Sequence, residues 1–375
     1  MKIVLTGGGT AGHFYPLIAI AEAINRIAGE ENLLRPELYY MSVDAHDKKA
    51  LFDNGITFRK VFSGKARMYF SFLNFLDVFT LAFGLAKSIV DMYLLYPDVV
   101  ISKGGYASIP AVYAARFFKI PIIIHESDSV PGKANQWAGK FATRIAVSWP
   151  EAYEYFPKDR TACIGQPVRA QIVTPEKHGA REFLKLTTEK PVVLVLGGSQ
   201  GARMINDAIL DILPELVGQY QIVHQTGEKN FDSVVEISRV VLKGSPEAAS
   251  SYNPFGYLNT LAMKMAAGAA DLVVSRAGST IFEIAAWGKP SILIPIQDTN
   301  GDHQRKNAFN YSRRGAATVI EEKNLKPSVL LSEIKRILGD TELQEKMSAA
   351  AKSFFTPGAA EKIAHEALKI ALAHQ

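Results

Sequence analysis

Cysteine is nearly absent: Cys163 is the one thiol in 375 residues. A single thiol can neither close an intramolecular disulfide nor build a cysteine cluster around a metal, and this usage fits a reducing compartment. Long hydrophobic runs are missing as well. The most apolar region, Met68 to Tyr96, is broken by Asp77, Lys87 and Asp91, and its longest uncharged pieces are nine residues, against the roughly 20 that a spanning helix needs. There is no dense Lys/Arg run, so nucleic acid is not an expected partner. The formal charge of +5 and pI near 9.0 are a mild excess that still favours anionic membranes or substrates. No signal-peptide pattern precedes the first strand, and a cytoplasmic location is expected.

What is present is length and alternation. A chain of 375 residues with 48% hydrophobic and 21% charged residues reads as soluble, globular and two-domain. Short apolar runs suited to buried parallel strands occur at 2–6, 38–42, 56–61, 99–102, 120–125 and 144–148. The second half repeats them at 192–196, 221–225, 252–255, 272–275, 291–295 and 317–320. Helical stretches lie between: 16–28, 47–54, 70–96, 109–118 and 133–141, then 203–216, 258–268, 279–287, 302–314, 327–338 and 341–355. This alternation argues for two doubly wound, Rossmann-like α/β domains. The expected boundaries are 1–165 and 166–357, with a last helix, 358–375, packing back on the first domain. Ligands of such folds lie at the carboxyl ends of the strands, so a cleft between two such domains is the expected site.

Four of those strand ends carry glycine: Gly7-Gly8-Gly9, Gly104-Gly105, Gly197-Gly198 and Gly278. Gly7, Gly9 and Gly12 formally match G-x-G-x-x-G, a turn whose backbone N–H groups face a phosphate. A dinucleotide site also wants an acidic residue about 20 positions on. The nearest strand-end candidate here, Asp44, is about 30 beyond Gly12, which argues against NAD. His13 adds a titratable ring that a dinucleotide fold does not need. The four loops suit a ligand with two phosphates and two sugars.

The blocks GGGTAGHFYP, SKGGYASIP, IIIHESDSVPGKAN, GQPVR, LGGSQGAR, HQTGEKNF, SRAGSTIFEIAAWGKPSILIP and DHQRKNA occur in this order. Together they resemble the MurG family of peptidoglycan N-acetylglucosaminyltransferases, from about Lys2 to Gly315. The resemblance implies a GT-B architecture and inverting transfer of N-acetylglucosamine (GlcNAc) from UDP-GlcNAc to the 4-hydroxyl of the muramoyl sugar on lipid I, giving lipid II. It implies His13 as the base, and an imidazole beside a helix N-terminus is favoured in its neutral form. It places Thr10, Ala11, Gly12 and Ser199 on the diphosphate, Glu283 on the ribose hydroxyls, and Arg276 and Leu258 near the uracil. Gly278, Ser279 and Thr280, in the turn before Glu283, belong to the same UDP-GlcNAc-binding set. Gln304, beside His303, would reach the GlcNAc hydroxyls, Arg169 the nucleotide, and Tyr106, Glu126 and Asn135 the acceptor side. His125 reads as structural and His224 as packing. No Asp-x-Asp motif occurs, so neither a metal nor another cofactor is expected.

Four departures from the family pattern stand out. Ala11 replaces a glycine. Asp128, in the donor-binding set, replaces an asparagine and puts a carboxylate near a diphosphate. The loop from Arg276 to Glu283 is one residue short. The stretch 238–255 reads as an enlarged surface loop ahead of its final strand. Phe70, Phe72, Phe75, Phe79 and Phe83, with Lys65, Arg67 and Lys87 nearby, are what an interfacial helix presents to anionic lipid. The inner membrane surface and cell-wall assembly proteins are therefore expected partners. Two other readings stay open: a related glycolipid synthase, and a nucleotide-sugar-binding subunit without catalysis.

Overall fold

The computed structural model describes residues 1–64, 72–186, 189–198, 201–244, 246–297 and 301–373, without the side chains of 72–79 and 246–247. The chain divides into two compact units: Met1–Arg169 with Thr356–Gln375, and Ala170–Phe355. The division falls after Arg169, where the sequence places it after Gly165.

The first unit is built on seven strands: β1 Lys2–Thr6, β2 Glu37–Ser42, β3 Ile56–Lys60, β4 Val99–Ser102, β5 Ile122–Glu126, β6 Arg144–Val147 and β7 Thr161–Cys163. They form one parallel sheet in the order β3-β2-β1-β4-β5-β6-β7. Strands 1, 4 and 5 carry apolar residues on both faces because helices cover both. The helix Ala11–Glu30 buries Phe14, Leu17, Ile20, Ile24 and Ile27 against the sheet. The terminal helix Ala359–Ala373 joins the same core through Ile363, Ala367 and Leu368, with Arg26 reaching Glu361 at 2.9 Å. Strand β7 escapes the sequence reading because only Thr161 of its three residues is buried.

The second unit carries β8 Val192–Leu196, β9 Gln221–Gln225, β10 Tyr252–Phe255, β11 Leu272–Ser275, β12 Ser291–Leu293 and β13 Ala317–Val319. Their order is β10-β9-β8-β11-β12-β13, again parallel throughout. Both sheets therefore reverse strand order once, between β1 and β4 and between β8 and β11. That switch point is where open α/β sheets bind ligands. The four glycine-bearing strand ends are the four loops that flank these two points.

Local differences from the sequence expectation have simple causes. The stretch 238–255 is not an enlarged loop. It holds the end of the helix Phe231–Val241, the turn Pro246–Ala249 and β10, and the helix is retained because Val234 and Ser238 are buried. The expected helix 203–216 breaks into Arg203–Asp211 and Leu213–Gln219, with Pro214 in the first turn of the second piece, where a missing N–H costs nothing. The helix after β1 begins at Ala11, not at Pro16. Pro16 lies inside it, and His13 is thereby drawn into its first turn.

No helix among the described residues is long and apolar enough to cross a membrane. Lys65, Arg67 and Phe70 lie outside the described residues, as do the side chains of Phe72, Phe75 and Phe79. Phe83 is 61% exposed on the helix Phe72–Leu95, and its ring stands 5.3 Å from that of Phe62.

Candidate active site

The loop after β1 runs Gly7-Gly8-Gly9-Thr10. A Cβ on Gly8 would stand 2.3 Å from Ser42 Oγ, and one on Gly9 2.9 Å from the Tyr106 ring, with Gly9 at φ +92°. Side chains are excluded there because β2 and the loop after β4 crowd the backbone. Thr10 caps the next helix in an extended conformation without a side-chain cap bond. The His13 and Phe14 amides both donate to Thr10 O, which leaves the Ala11 and Gly12 N–H groups outside the helix's own ladder, at its positive end. Thr10, Ala11 and Gly12 are the residues that the sequence reading assigned to a diphosphate.

Thr10 Oγ1 and His13 Nδ1 are 2.8 Å apart. The other side of the ring faces the loop after β4: a Cβ on Gly105 (φ +80°) would lie 3.5 Å from His13 Nε2. Tyr106 follows at once, and its carbonyl accepts from Ser63 Oγ at 2.8 Å. His13 and Tyr106 thus belong to adjacent loops of one switch point.

Glu126, Asp128 and Asn135 come together at the end of β5. Glu126 is buried, and its carboxylate accepts from the Asp128 N–H at 2.9 Å, the Gly132 N–H at 3.0 Å and Asn135 Nδ2 at 3.0 Å. Asn135 is equally buried, and it also donates to His125 O. Expected on the acceptor side, these two residues also hold the turn 127–132 from behind. Burial and the neighbouring Asp128 push the Glu126 carboxyl up, with Lys103 opposing. His125 is fully buried, its Nε2 3.0 Å from Gly165 O, and burial holds it well below the usual imidazole range, which fits the structural role read for it. Arg169 stacks over the Tyr15 ring at 4.0 Å. It also opposes the rise that burial imposes on Glu22.

In the second unit Ser199 lies outside the described residues. The other donor-side residues are gathered by side chains that the sequence did not single out. Gln225, at the end of β9, donates to Gly198 O at 3.2 Å and accepts from the Leu258 N–H at 3.1 Å, so one amide holds two donor loops. Arg276 donates to Ile294 O at 3.0 Å and pairs with Glu322 at 2.5 Å, both side chains being 13% exposed. The other Glu322 oxygen accepts from the Gln297 N–H. Arg276 is therefore committed to ordering the ends of β11 and β12. Gly278 and Ser279 make the turn into the helix Thr280–Trp287. Glu283 lies in its first turn, half-buried between the buried Phe282 and Ile284. Gln304 Oε1 accepts from the Ile296 N–H at 3.2 Å.

His224 is buried and saturated. Its Nε2 lies 3.0 Å from Asn206 Oδ1, and its Nδ1 2.9 Å from the Tyr252 hydroxyl. A neutral ring that donates to Asn206 and accepts from Tyr252 satisfies both atoms, and burial takes the group down to about 3. A depressed folded-state value means that the unfolded chain binds the proton first. Stability is complete above pH 6.5 and falls at about 1.4 kcal/mol per pH unit below it, toward the folded value. Urea unfolding at pH 7 and pH 5 checks this: the wild type should lose about 2 kcal/mol more than His224→Gln between the two.

Comparison with known proteins agrees with this layout. The glycosyltransferase family 28 N-terminal domain matches residues 3–147, and the family 28 C-terminal domain matches residues 192–363. A relative from Treponema denticola, named UDP-N-acetylglucosamine–N-acetylmuramyl-(pentapeptide) pyrophosphoryl-undecaprenol N-acetylglucosamine transferase, is 38% identical over 92% of this chain and 89% of its own. One of the same name from Bacillus cytotoxicus is 35% identical over 97% of each. The crystal structure of Acinetobacter baumannii MurG superposes with a TM-score of 0.71 at 22% identity, covering 98% of this chain and 99% of that one, which shows the shared GT-B fold. Both halves of the sequence and both sheets lead to one conclusion: the chain belongs to glycosyltransferase family 28, among the MurG N-acetylglucosamine transferases.

Proposed function

We propose that this protein transfers GlcNAc from UDP-GlcNAc to the 4-hydroxyl of the N-acetylmuramoyl-(pentapeptide) unit on undecaprenyl pyrophosphate, converting lipid I to lipid II with inversion and without a metal. Membership of the MurG family over most of the chain carries this reading. A glycolipid acceptor is not favoured, because the relatives bear the muramyl-pyrophosphoryl name.

Inversion requires one displacement. The acceptor oxygen bonds to the anomeric carbon as the bond to UDP breaks, and the hydroxyl proton passes to a base. His13 Nε2 is that base in our reading. To serve, the neutral ring must carry its proton on Nδ1, donating it to Thr10 Oγ1 at 2.8 Å, so that the Nε2 lone pair faces the Gly105 side. The Thr10 hydroxyl can accept that proton and holds the ring in this orientation. Thr10→Val, which keeps the shape and removes the oxygen, should lower kcat about tenfold and leave the UDP-GlcNAc KM within about twofold, as expected for a group that orients a base; steady-state kinetics reads both.

The leaving diphosphate is met by backbone N–H groups at the helix start after Thr10, with Arg169 in the same unit. That donor set, together with a sequence lacking Asp-x-Asp, supports metal independence. Glu283 takes the ribose hydroxyls, Gln304 the GlcNAc hydroxyls, and Leu258, Gly278, Ser279 and Thr280 line the nucleotide, with Arg276 and Glu322 shaping that wall. Tyr106 faces the acceptor. The region Phe70–Phe83 supports peripheral attachment to the cytoplasmic face of an anionic membrane, where the acceptor's lipid resides. That places the protein in cell-wall biogenesis, and through it in cell shape and division, beside other wall-assembly proteins. Transfer of radiolabelled GlcNAc to a short-chain lipid I analogue, in EDTA, tests the whole reading. Absence of transfer with UDP-GlcNAc binding intact would point to another acceptor or to a binding subunit.

A further inference from the structure

Lys103 is a buried charge for which the mechanism has no use. It is the first residue after β4, its N–H donates to Thr6 O at 2.8 Å, and it is 2% exposed. A Cβ on Gly7 would come within 2.9 Å of Lys103 Cβ, so its stem lies directly behind the loop that carries Thr10 and His13. The ammonium donates to Ser127 Oγ, crossing from the end of β4 to the end of β5. Ser127 is fixed from its other side by the Trp149 indole, which donates to its carbonyl at 2.8 Å. Burial takes the ammonium down to about 8, and two carboxylates, Glu126 and Asp128, oppose that fall.

A lysine is rarely buried without a partner, and here one cation answers two anions. Without it, Glu126 and Asp128 would be like charges two residues apart, one of them dry. The turn would have to open or take up a proton, and an acceptor bearing a pyrophosphate would meet an unbalanced carboxylate. We propose that Lys103 is a positioning residue for the transfer: by tying β4 to Ser127 and offsetting Glu126 and Asp128, it sets the shape and potential of the turn 127–132 beside the His13 loop. The role of Asp128 changes accordingly. The carboxylate that stands where the family pattern has an amide is the second, after Glu126, of the two that this lysine offsets.

The proposal rests on the transferase reading, and its test separates the two. Transfer kinetics are measured for wild type, Lys103→Met, Asp128→Asn and the double variant, varying the lipid I analogue and UDP-GlcNAc separately, with UDP-GlcNAc binding by calorimetry as the control for folding. Lys103→Met should lower kcat/KM for the acceptor about 30-fold while the UDP-GlcNAc Kd stays within about twofold, because the buried Glu126 and the half-buried Asp128 lose their cation. Adding Asp128→Asn should recover at least about fivefold of that loss, since the two positions are coupled. Ser127→Ala, which removes the hydroxyl and leaves every charge in place, should cost about threefold to fivefold on the acceptor alone, and it carries the test if Lys103→Met does not fold. Wild-type rates in Lys103→Met or in Ser127→Ala, a loss shared equally by the donor, or a double variant no better than Lys103→Met would overturn the proposal. A wild type that transfers nothing would sink the transferase reading instead.

Discussion

Replacing His13 by alanine should cut GlcNAc transfer to a lipid I analogue by at least about 100-fold, the lower range for loss of a general base. Binding of UDP-GlcNAc should stay within about twofold, because the ring faces Thr10 and the Gly105 loop of the first unit, whereas the nucleotide is assigned mainly to the second. The fall should appear in kcat and kcat/KM alike, as for an interaction made only in the transition state. His13→Asn and His13→Gln sharpen the test. Each supplies a hydrogen bond without a usable base, so activity retained in either would assign His13 to holding a substrate. Transfer that survives His13→Ala would leave the overall reaction in place and remove this residue as the base. Addition of EDTA should change none of these rates.

Loss of Glu283 should act in the opposite way. Glu283→Ala should raise the KM for UDP-GlcNAc by roughly 30-fold or more, from the loss of charge-assisted hydrogen bonds worth about 1.5–3 kcal/mol each. The acceptor KM should remain near that of the wild type. A 2′-deoxyribose donor gives the complementary readout. It should be a poor substrate for the wild type and no worse than UDP-GlcNAc for Glu283→Ala, since the lost partner is then missing on both sides. A variant that still discriminates between the two donors would take the ribose away from Glu283. Its place supports the assignment: it stands in the first turn of a helix whose neighbouring positions, Phe282 and Ile284, are buried, so the carboxylate is held at the strand-end side of the sheet.

Much of this layout is legible in the chain. All twelve strands of the sequence reading begin within two residues of the expected position, Glu37–Ser42 one residue earlier and Ile122–Glu126 two residues later. Apolar runs closed by glycine turns are strong signals in parallel sheets, where both faces are buried. The weak points were elements held by few apolar residues, such as β7, and the start of the helix after β1, where glycines and a proline obscure a helix that tertiary packing enforces. The bonds that Arg276, Glu126 and Asn135 make inside the fold were not legible for a similar reason. A motif names a side chain, but only its neighbours show where its hydrogen bonds are spent.

By itself, then, the sequence determined the class of fold, the two-unit organisation, the four glycine-bearing strand ends and the family, because these depend on local periodicity and on short contiguous blocks. The tertiary structure alone decided what stands behind those blocks. Lys103 reaches Ser127 across 24 residues, Gln225 reaches Leu258 across 33, and Arg276 reaches Glu322 across 46. Strand order decides which loops become neighbours, and in a doubly wound sheet the neighbours at the switch point, β1 with β4 and β8 with β11, are not consecutive in the chain. Buried charges and amides find their partners between strand ends that lie dozens of residues apart in the chain, where no local pattern records them.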